Sequence, residues 1–139
     1  MVNLVIVSHC HSLAEGVKEL AEQMANGEVK ITAVGGIVVD DLPPALGTDA
    51  VRISEAIGEV WTPDGVLILV DLGSAILSAE LALEMMSEEM QARCKISNAP
   101  LVEGAVIAAL EASVNHSLEA VNEAAEAACD YAKVSSFSP

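Results

Sequence analysis

The sequence predicts an α/β fold, with an open, mainly parallel β-sheet and helices on both of its faces. Short apolar runs of strand length alternate along the chain with amphipathic segments of helical period, and right-handed crossovers between parallel strands place helices on both sides of a sheet. Hydrophobic residues make up 53% of the chain but aromatic residues only 2%. The core must therefore consist of the small aliphatic side chains that are typical of buried parallel strands.

Four apolar runs, each followed by a polar or glycine-containing turn, are predicted to be the strands. They are residues 2–7, 29–34, 66–70 and 95–99. Amphipathic segments follow them, and the first has one apolar stripe. This stripe consists of Leu13, Val17, Leu20, Ala21 and Met24. Similar stripes are predicted in residues 51–57, 76–86, 101–110 and 118–131.

The chain is predicted to be one domain over residues 1–133, since its 139 residues are an ordinary domain length. Residues 134–139 are expected to be a flexible tail. The longest irregular connection is residues 37–48, where Pro43 and Pro44 exclude a regular helix. Connections of this length are often functional.

Charge and cysteine content exclude several classes of protein. Six basic residues against 21 acidic ones give a formal net charge of −15, which would repel nucleic acid and anionic membrane surfaces. The three cysteines, Cys10, Cys94 and Cys129, are odd in number and widely spaced, which favours a reducing compartment. With neither a basic leader nor an apolar run of about 18 residues, the chain is expected to be soluble and cytoplasmic.

His9 follows the first predicted strand, at the edge of a parallel sheet where ligands bind. Ser12 and Glu15 have the spacing of a capping box, which would start a helix close to His9. The positive end of a helix dipole favours a nearby anion by about 0.3 to 1 kcal/mol. The position therefore suits a phosphate group.

Asp71 follows the third predicted strand, and Gly73 and Ser74 then open another helix. If the first and third strands are neighbours, Asp71 can contact His9. A carboxylate bonded to one imidazole nitrogen fixes the tautomer and leaves the other nitrogen free to attack. These residues predict that His9 is a nucleophile.

Other interpretations of these residues stay open. Thr48 stands at a helix start, where its hydroxyl either caps the helix or donates to a phosphoryl oxygen. His9 and Asp71 can equally satisfy turns at the strand ends. A metal site at His9, Cys10 and His11 is disfavoured, because adjacent side chains diverge and no further ligand pair has zinc spacing. Little in the sequence would activate Cys10 as a thiolate.

Five motifs at strand-to-helix junctions resemble a known family. They are "VNLVIVSH", "LAEGVKELAEQM", "GTDAV", "LVDLGSA" and "APLVEGA". In this order they resemble the phosphotransferase subunits, DhaM, of bacterial PEP-dependent dihydroxyacetone kinases, whose relevant domain is similar to the mannose-type IIA proteins of the sugar phosphotransferase system. The forms "DLGSA" and "PLVEG" look more like the dihydroxyacetone branch than the sugar-uptake branch.

The resemblance implies a phosphocarrier. His9 would take a phosphoryl group from the carrier HPr and pass it to ADP on the DhaL subunit, and the ATP formed would phosphorylate dihydroxyacetone on DhaK. Asp71 would orient His9, with Thr48, Gly73 and Ser74 around the phosphate. The chain itself would hold neither metal nor cofactor, because ADP and ATP belong to the partner subunit. The family also implies a homodimer and the sheet order 2-1-3-4.

Cys10 departs from the family pattern, which usually has Ser after the active histidine, and His11 follows it. Register favours His9 as the phosphorylated residue. Some relatives continue into HPr-like and enzyme I-like domains, so the chain is expected either to act alone or to be a fragment. Two alternatives are a mannose-type IIA component that feeds a IIB domain for sugar uptake, and a non-catalytic α/β regulatory module.

Overall fold

A four-stranded parallel sheet lies at the centre of the computed structural model, which describes residues 1–25 and 27–134. Its strands are β1 (Asn3–Ser8), β2 (Ile31–Gly35), β3 (Val66–Val70) and β4 (Cys94–Ile96). Their order is β2-β1-β3-β4, and every pairing is parallel. The predicted fold class and strand order are confirmed.

The sequence located β3 at its observed bounds and the other strands within a few residues. The fourth strand was expected to continue to residue 99 but ends at Ile96. Its end is explained by a turn at Ser97, whose Oγ accepts a hydrogen bond from the Ala99 N–H at 3.0 Å.

In the described part of the chain, six α-helices pack around the sheet. They are α1 (His11–Met24), α2 (Ala50–Val60), α3 (Gly73–Glu84), α4 (Glu88–Gln91), α5 (Leu101–Ser113) and α6 (Leu118–Glu126). The short α4 was not predicted. Residues 118–131 were expected to form one helix. The α-helix α6 instead ends at Glu126, and a 3₁₀ helix follows over Ala127–Asp130.

Two hydrophobic cores cover the two faces of the sheet. On one face, Leu4 and Leu67 pack with buried residues of α1, α5 and α6. On the other, Val5 and Ile68 pack with buried residues of α2 and α3. Because both faces are covered, β1 and β3 are buried throughout, which explains why β3 is wholly apolar and why β1 is apolar between Asn3 and Ser8.

The apolar stripe predicted for α1 is partly wrong. Leu13, Leu20 and Met24 are 42%, 52% and 46% exposed. Val17 and Ala21 are buried as predicted, and Ala14, which the prediction omitted, completes the buried face. Small side chains let the helix approach the sheet closely, and the larger residues therefore lie at the margins of the contact.

The predicted capping box in α1 is also wrong. The helix begins at His11, so Ser12 is already inside it, and the N-cap residue is Cys10, which makes no side-chain cap bond. The reason is the short connection from β1, because only His9 and Cys10 separate the strand from the helix.

The long connection between β2 and α2 is irregular, as predicted. An isolated antiparallel bridge joins Ile37 to Ala45 within it. Within residues 1–25 and 27–134, the helices are too short or too polar to cross a bilayer. Of the predicted tail, Val134 is exposed, and residues 135–139 lie outside the described residues.

Gly104 allows α5 to approach the end of β3 closely. A methyl group at this position would lie 2.6 Å from Ala99 Cβ and 3.3 Å from Leu69 Cδ2. We expect Gly104→Ala to lower the free energy of unfolding by about 1–3 kcal/mol, because the added carbon overpacks the core. Urea denaturation measures the change.

The matched control is Gly58→Ala in α2, where an added methyl group meets nothing within 4 Å. We expect it to raise the free energy of unfolding by about 0.5–1 kcal/mol, since Ala is the better helix former. A destabilisation of equal size in both variants would contradict the packing argument.

Candidate active site

His9 and Asp71 lie side by side at the carboxyl edge of the sheet. His9 directly follows β1 and Asp71 directly follows β3, and these central strands pair with Val7 opposite Val70. The His9 Nδ1 lies 2.9 Å from the Asp71 Oδ1. The contact expected from neighbouring first and third strands is present.

The Asp71 carboxylate holds the backbone as well as the ring of His9. Its Oδ2 accepts from the His9 N–H at 2.9 Å and from the Ser8 hydroxyl at 2.8 Å. Its Oδ1 also accepts from the Leu72 N–H at 2.7 Å. The imidazole is thereby fixed relative to its own main chain.

These hydrogen bonds keep Asp71 ionised. Burial by itself would raise the pKa of the carboxyl, but the bonds from His9, Ser8 and Leu72 outweigh it and hold the pKa below its ordinary value of 3.8. An anion at this position stabilises positive charge on the adjacent imidazole.

The ring of His9 presents Nε2 on the side away from Asp71. Because an ionised carboxylate only accepts hydrogen bonds, Nδ1 carries the proton and Nε2 carries the lone pair. Nε2 contacts the hydroxyl of Ser74, which is exposed in the first turn of α3. A lone pair at the surface can attack an electrophile brought by another molecule.

Two of the helices that begin at this edge, α1 at His11 and α3 at Gly73, start two residues after His9 and Asp71. Within the described chain, neither N-cap residue, Cys10 or Leu72, caps its helix with a side chain. First-turn N–H groups without a side-chain cap are the groups that a helix offers to an anion. Gly73 and Ser74 lie where the sequence predicted them, at the start of α3.

Thr48 does not cap α2, so that interpretation is wrong. The cap is Asp49, whose side chain accepts from the N–H groups of Val51 and Arg52. The Thr48 hydroxyl instead pairs with that of Ser78 at 2.6 Å, one turn after Ser74 on α3. This bond ties the long connection to the helix that carries Ser74, and a phosphate contact of Thr48 stays a prediction.

Sequence reasoning missed two contributors to the site. Ser8 bonds to Asp71, and the Gly47 N–H donates to the His9 carbonyl at 2.9 Å. Strand register could have indicated Ser8, since Val7 opposite Val70 places Ser8 opposite Asp71. The Gly47 contact depends on the path of a long connection, for which the sequence carries no comparable signal.

The remaining reactive side chains are arranged less favourably. Cys10 is partly buried and His11 is the first residue of α1. In the part of the chain that the structure describes, no three His, Cys, Asp or Glu side chains are grouped to hold a metal ion. His116 is paired with Glu111 beside a cavity of about 320 Å³ lined by Val2 and Arg93. Val2 and Arg93 directly precede β1 and β4. His116 therefore lies at the amino-terminal edge of the sheet, opposite His9.

Comparison with known proteins finds one family and several relatives. A family model described as the PTS system fructose IIA component matches residues 3–122. The phosphoryl donor subunit DhaM of a PEP-dependent dihydroxyacetone kinase from Escherichia coli K12 is 48% identical over 122 residues. That match covers 87% of this chain, and the chain spans only 25% of the relative.

A shorter relative matches over nearly its whole length. The phosphoryl donor subunit DhaM of PEP-dependent dihydroxyacetone kinase 2 from Listeria innocua is 40% identical over 121 residues, which cover 87% of this chain and 94% of the relative. Among solved structures, the protein of unknown function EF1359 is 38% identical with a TM-score of 0.77, over 90% of this chain and 92% of that one. The DegV family protein Cg2579 from Corynebacterium glutamicum shares the fold, with a TM-score of 0.62 at 20% identity over 91% of this chain and 48% of that one.

Proposed function

The chain belongs to the family of PTS system fructose IIA components and to the DhaM phosphoryl donor subunits, and from this premise we propose that it is a histidine phosphocarrier for dihydroxyacetone kinase. His9 accepts a phosphoryl group from phospho-HPr and passes it to ADP on a DhaL subunit. The ATP formed there phosphorylates dihydroxyacetone on DhaK. The observation that carries the proposal is the contact of His9 Nδ1 with Asp71, 2.9 Å long, which leaves the Nε2 lone pair facing the Ser74 hydroxyl on the side away from the carboxylate.

The transfer is an in-line displacement at phosphorus. The Nε2 lone pair of His9 forms the new P–N bond while the bond to the HPr nitrogen breaks and its electron pair returns to that nitrogen. The His9 ring keeps its Nδ1 proton and becomes positively charged. Asp71 supports this step because its carboxylate is ionised and bonded to Nδ1.

In the second step His9 becomes the leaving group and ADP becomes the acceptor. A β-phosphate oxygen of ADP attacks phosphorus, the P–Nε2 bond breaks, and its electron pair returns to Nε2. Little covalent chemistry is asked of the protein, so catalysis consists mainly of positioning and charge stabilisation. A neutral imidazole on the Asp71 carboxylate is then restored for the next cycle.

Ser74, Gly73 and Thr48 are proposed to surround the phosphoryl group. The Ser74 hydroxyl contacts Nε2 in the free protein, and we expect it to turn toward a phosphoryl oxygen after transfer. The N–H groups that open α3 at Gly73 stabilise the equatorial oxygens. Thr48 is proposed as a further contact because it follows Gly47, whose N–H donates to the His9 carbonyl, and bonds to Ser78 one helical turn after Ser74.

Transfer between proteins requires a surface on which a partner can dock. Leu46 and Leu72, which are 77% and 64% exposed, adjoin Gly47 and Asp71 and support docking beside His9. The net charge of −15 favours partners with basic surfaces. We propose a homodimer, with the reaction in the cytoplasm, where PEP and ADP are metabolites.

Sugar uptake is a second candidate, because the matching family model is described as a fructose IIA component. In that role the His9 phosphoryl group would pass to a cysteine or histidine of a IIB domain and then to a transported sugar. The acceptor distinguishes the two candidates.

Phosphoryl transfer from labelled PEP through enzyme I and HPr tests the proposal. We expect an acid-labile phosphate on this chain, which purified DhaL with ADP removes to form ATP. A chain that stays unlabelled would contradict the phosphocarrier. A labelled chain that keeps its phosphate with DhaL but loses it to a IIB domain would assign it to sugar uptake.

A further inference from the structure

Ser8 is the buried neighbour of the proposed site. Ser8 is the last residue of β1 and is fully buried (0% exposed). Its hydroxyl oxygen lies 2.8 Å from Asp71 Oδ2 and 3.0 Å from the Cys10 nitrogen. A buried hydroxyl with two fixed partners can hold a neighbouring group in one orientation.

Both bonds of the Ser8 hydroxyl have a defined direction. The Cys10 N–H can only donate, so it occupies a lone pair of the Ser8 oxygen. The ionised Asp71 can only accept, so the hydroxyl proton must lie between Ser8 and Oδ2. A one-way series of bonds therefore runs from the start of α1 through Ser8 to the carboxylate that holds His9.

We propose that Ser8 is a positioning residue that orients Asp71 and, through it, the His9 imidazole. The inference rests on the proposed function for its effect on transfer. The Ser8 bond and the His9 backbone bond meet on Oδ2, whereas the ring of His9 bonds to Oδ1. Fixing Oδ2 thus sets the direction in which Oδ1 meets Nδ1.

Ser97 provides a matched control within the same fold. It directly follows β4, is 3% exposed, and its hydroxyl accepts from the N–H two residues later, in Ala99, at 3.0 Å. Ser8 makes the same turn bond to Cys10. The two serines differ in what their hydroxyl groups donate to. In the described structure, the Ser8 hydroxyl donates to a carboxylate and the Ser97 hydroxyl does not.

The test compares Ser8→Ala, Ser8→Thr and Ser97→Ala in phosphorylation by phospho-HPr. We expect Ser8→Ala to slow the single-turnover rate about tenfold, as the loss of one hydrogen bond to a charged group predicts. Ser8→Thr keeps the hydroxyl, so it should transfer faster than Ser8→Ala, even though its added methyl group in a fully buried position should lower the unfolding free energy. Ser97→Ala should transfer at the wild-type rate, although it loses the same turn bond.

A ring-nitrogen NMR measurement tests the inference without any transfer. Wild type and Ser97→Ala should show His9 in one tautomer, with the proton on Nδ1, whereas Ser8→Ala should show a mixture of tautomers. Thermal denaturation of each variant confirms that it is folded. In the Asp71→Ala background, adding Ser8→Ala should slow transfer by less than about twofold, because a positioning residue acts only through its target.

The outcomes separate the two proposals. Unlabelled wild-type protein would overturn the phosphocarrier, and the tautomer comparison would still decide the role of Ser8. Labelled wild type with identical tautomers and rates in Ser8→Ala and Ser97→Ala would overturn the positioning role alone. Full additivity of Ser8→Ala and Asp71→Ala would overturn it as well.

Discussion

Replacing His9 with Ala is expected to abolish phosphorylation of the chain, lowering labelling from phospho-HPr at least about 10³-fold. The variant lacks the nitrogen that forms the bond to phosphorus. Asp71 keeps its bonds from the Ser8 hydroxyl and two backbone N–H groups, so the fold should persist. Gel separation after incubation with labelled PEP, enzyme I and HPr measures the loss.

His11→Ala and His116→Ala are the controls for this variant. His11 follows the site by two residues but begins α1, and His116 is exposed at the other edge of the sheet and paired with Glu111. Both variants should be labelled as wild type is. Label that persists in His9→Ala, or that disappears in His11→Ala, would assign the nucleophile to a different imidazole.

Replacing Asp71 with Ala should slow transfer by about 10²–10⁴-fold while His9 stays in place. Without the carboxylate, Nδ1 loses its acceptor and the ring populates the tautomer with the proton on Nε2, which cannot attack. The positive charge of the phosphorylated ring also loses its counterion. Rapid-quench kinetics with phospho-HPr measures the rate, and a rate within threefold of wild type would remove Asp71 from the mechanism.

The same substitution has a pH signature. Because the pKa of Asp71 is lowered in the folded protein, its ionised form contributes stability that is fully present above the unfolded value and is lost as pH falls through the folded value. Wild type should therefore exceed Asp71→Ala in unfolding free energy by a constant amount near neutral pH, and the difference should shrink below about pH 4. A difference that grows in acid would contradict the hydrogen-bonding pattern at Asp71.

The central strands could be predicted because their sequences respond to one strong constraint. In β1 and β3 every residue is buried, so apolar runs bounded by turns identify them. The polar residues that follow, His9 and Asp71, then lie at a common edge once the strands are neighbours. The fold class and the contact between His9 and Asp71 at the candidate site both follow from this arrangement.

The details that the sequence did not predict depend on small local differences. An N-cap at Ser12 and the observed N-cap at Cys10 differ by only two residues, and the two-residue connection from β1 decides between them. The buried face of α1 includes Ala14, which was not predicted, whereas the predicted Leu13 and Leu20 are exposed, because close approach to the sheet favours small side chains. The bond from Gly47 to His9 depends on the path of a long connection.

The peptide units on both sides of the His9 α-carbon are anchored. Its N–H donates to Asp71 and its carbonyl accepts from the Gly47 N–H. The main chain therefore has little freedom to shift when the ring gains or loses a phosphoryl group. If the chain is a phosphocarrier, it meets donor and acceptor with nearly the same shape. The direction of phosphoryl transfer would then depend on the relative free energies of the phosphoryl bonds in the donor and in the acceptor, without a conformational switch in the carrier.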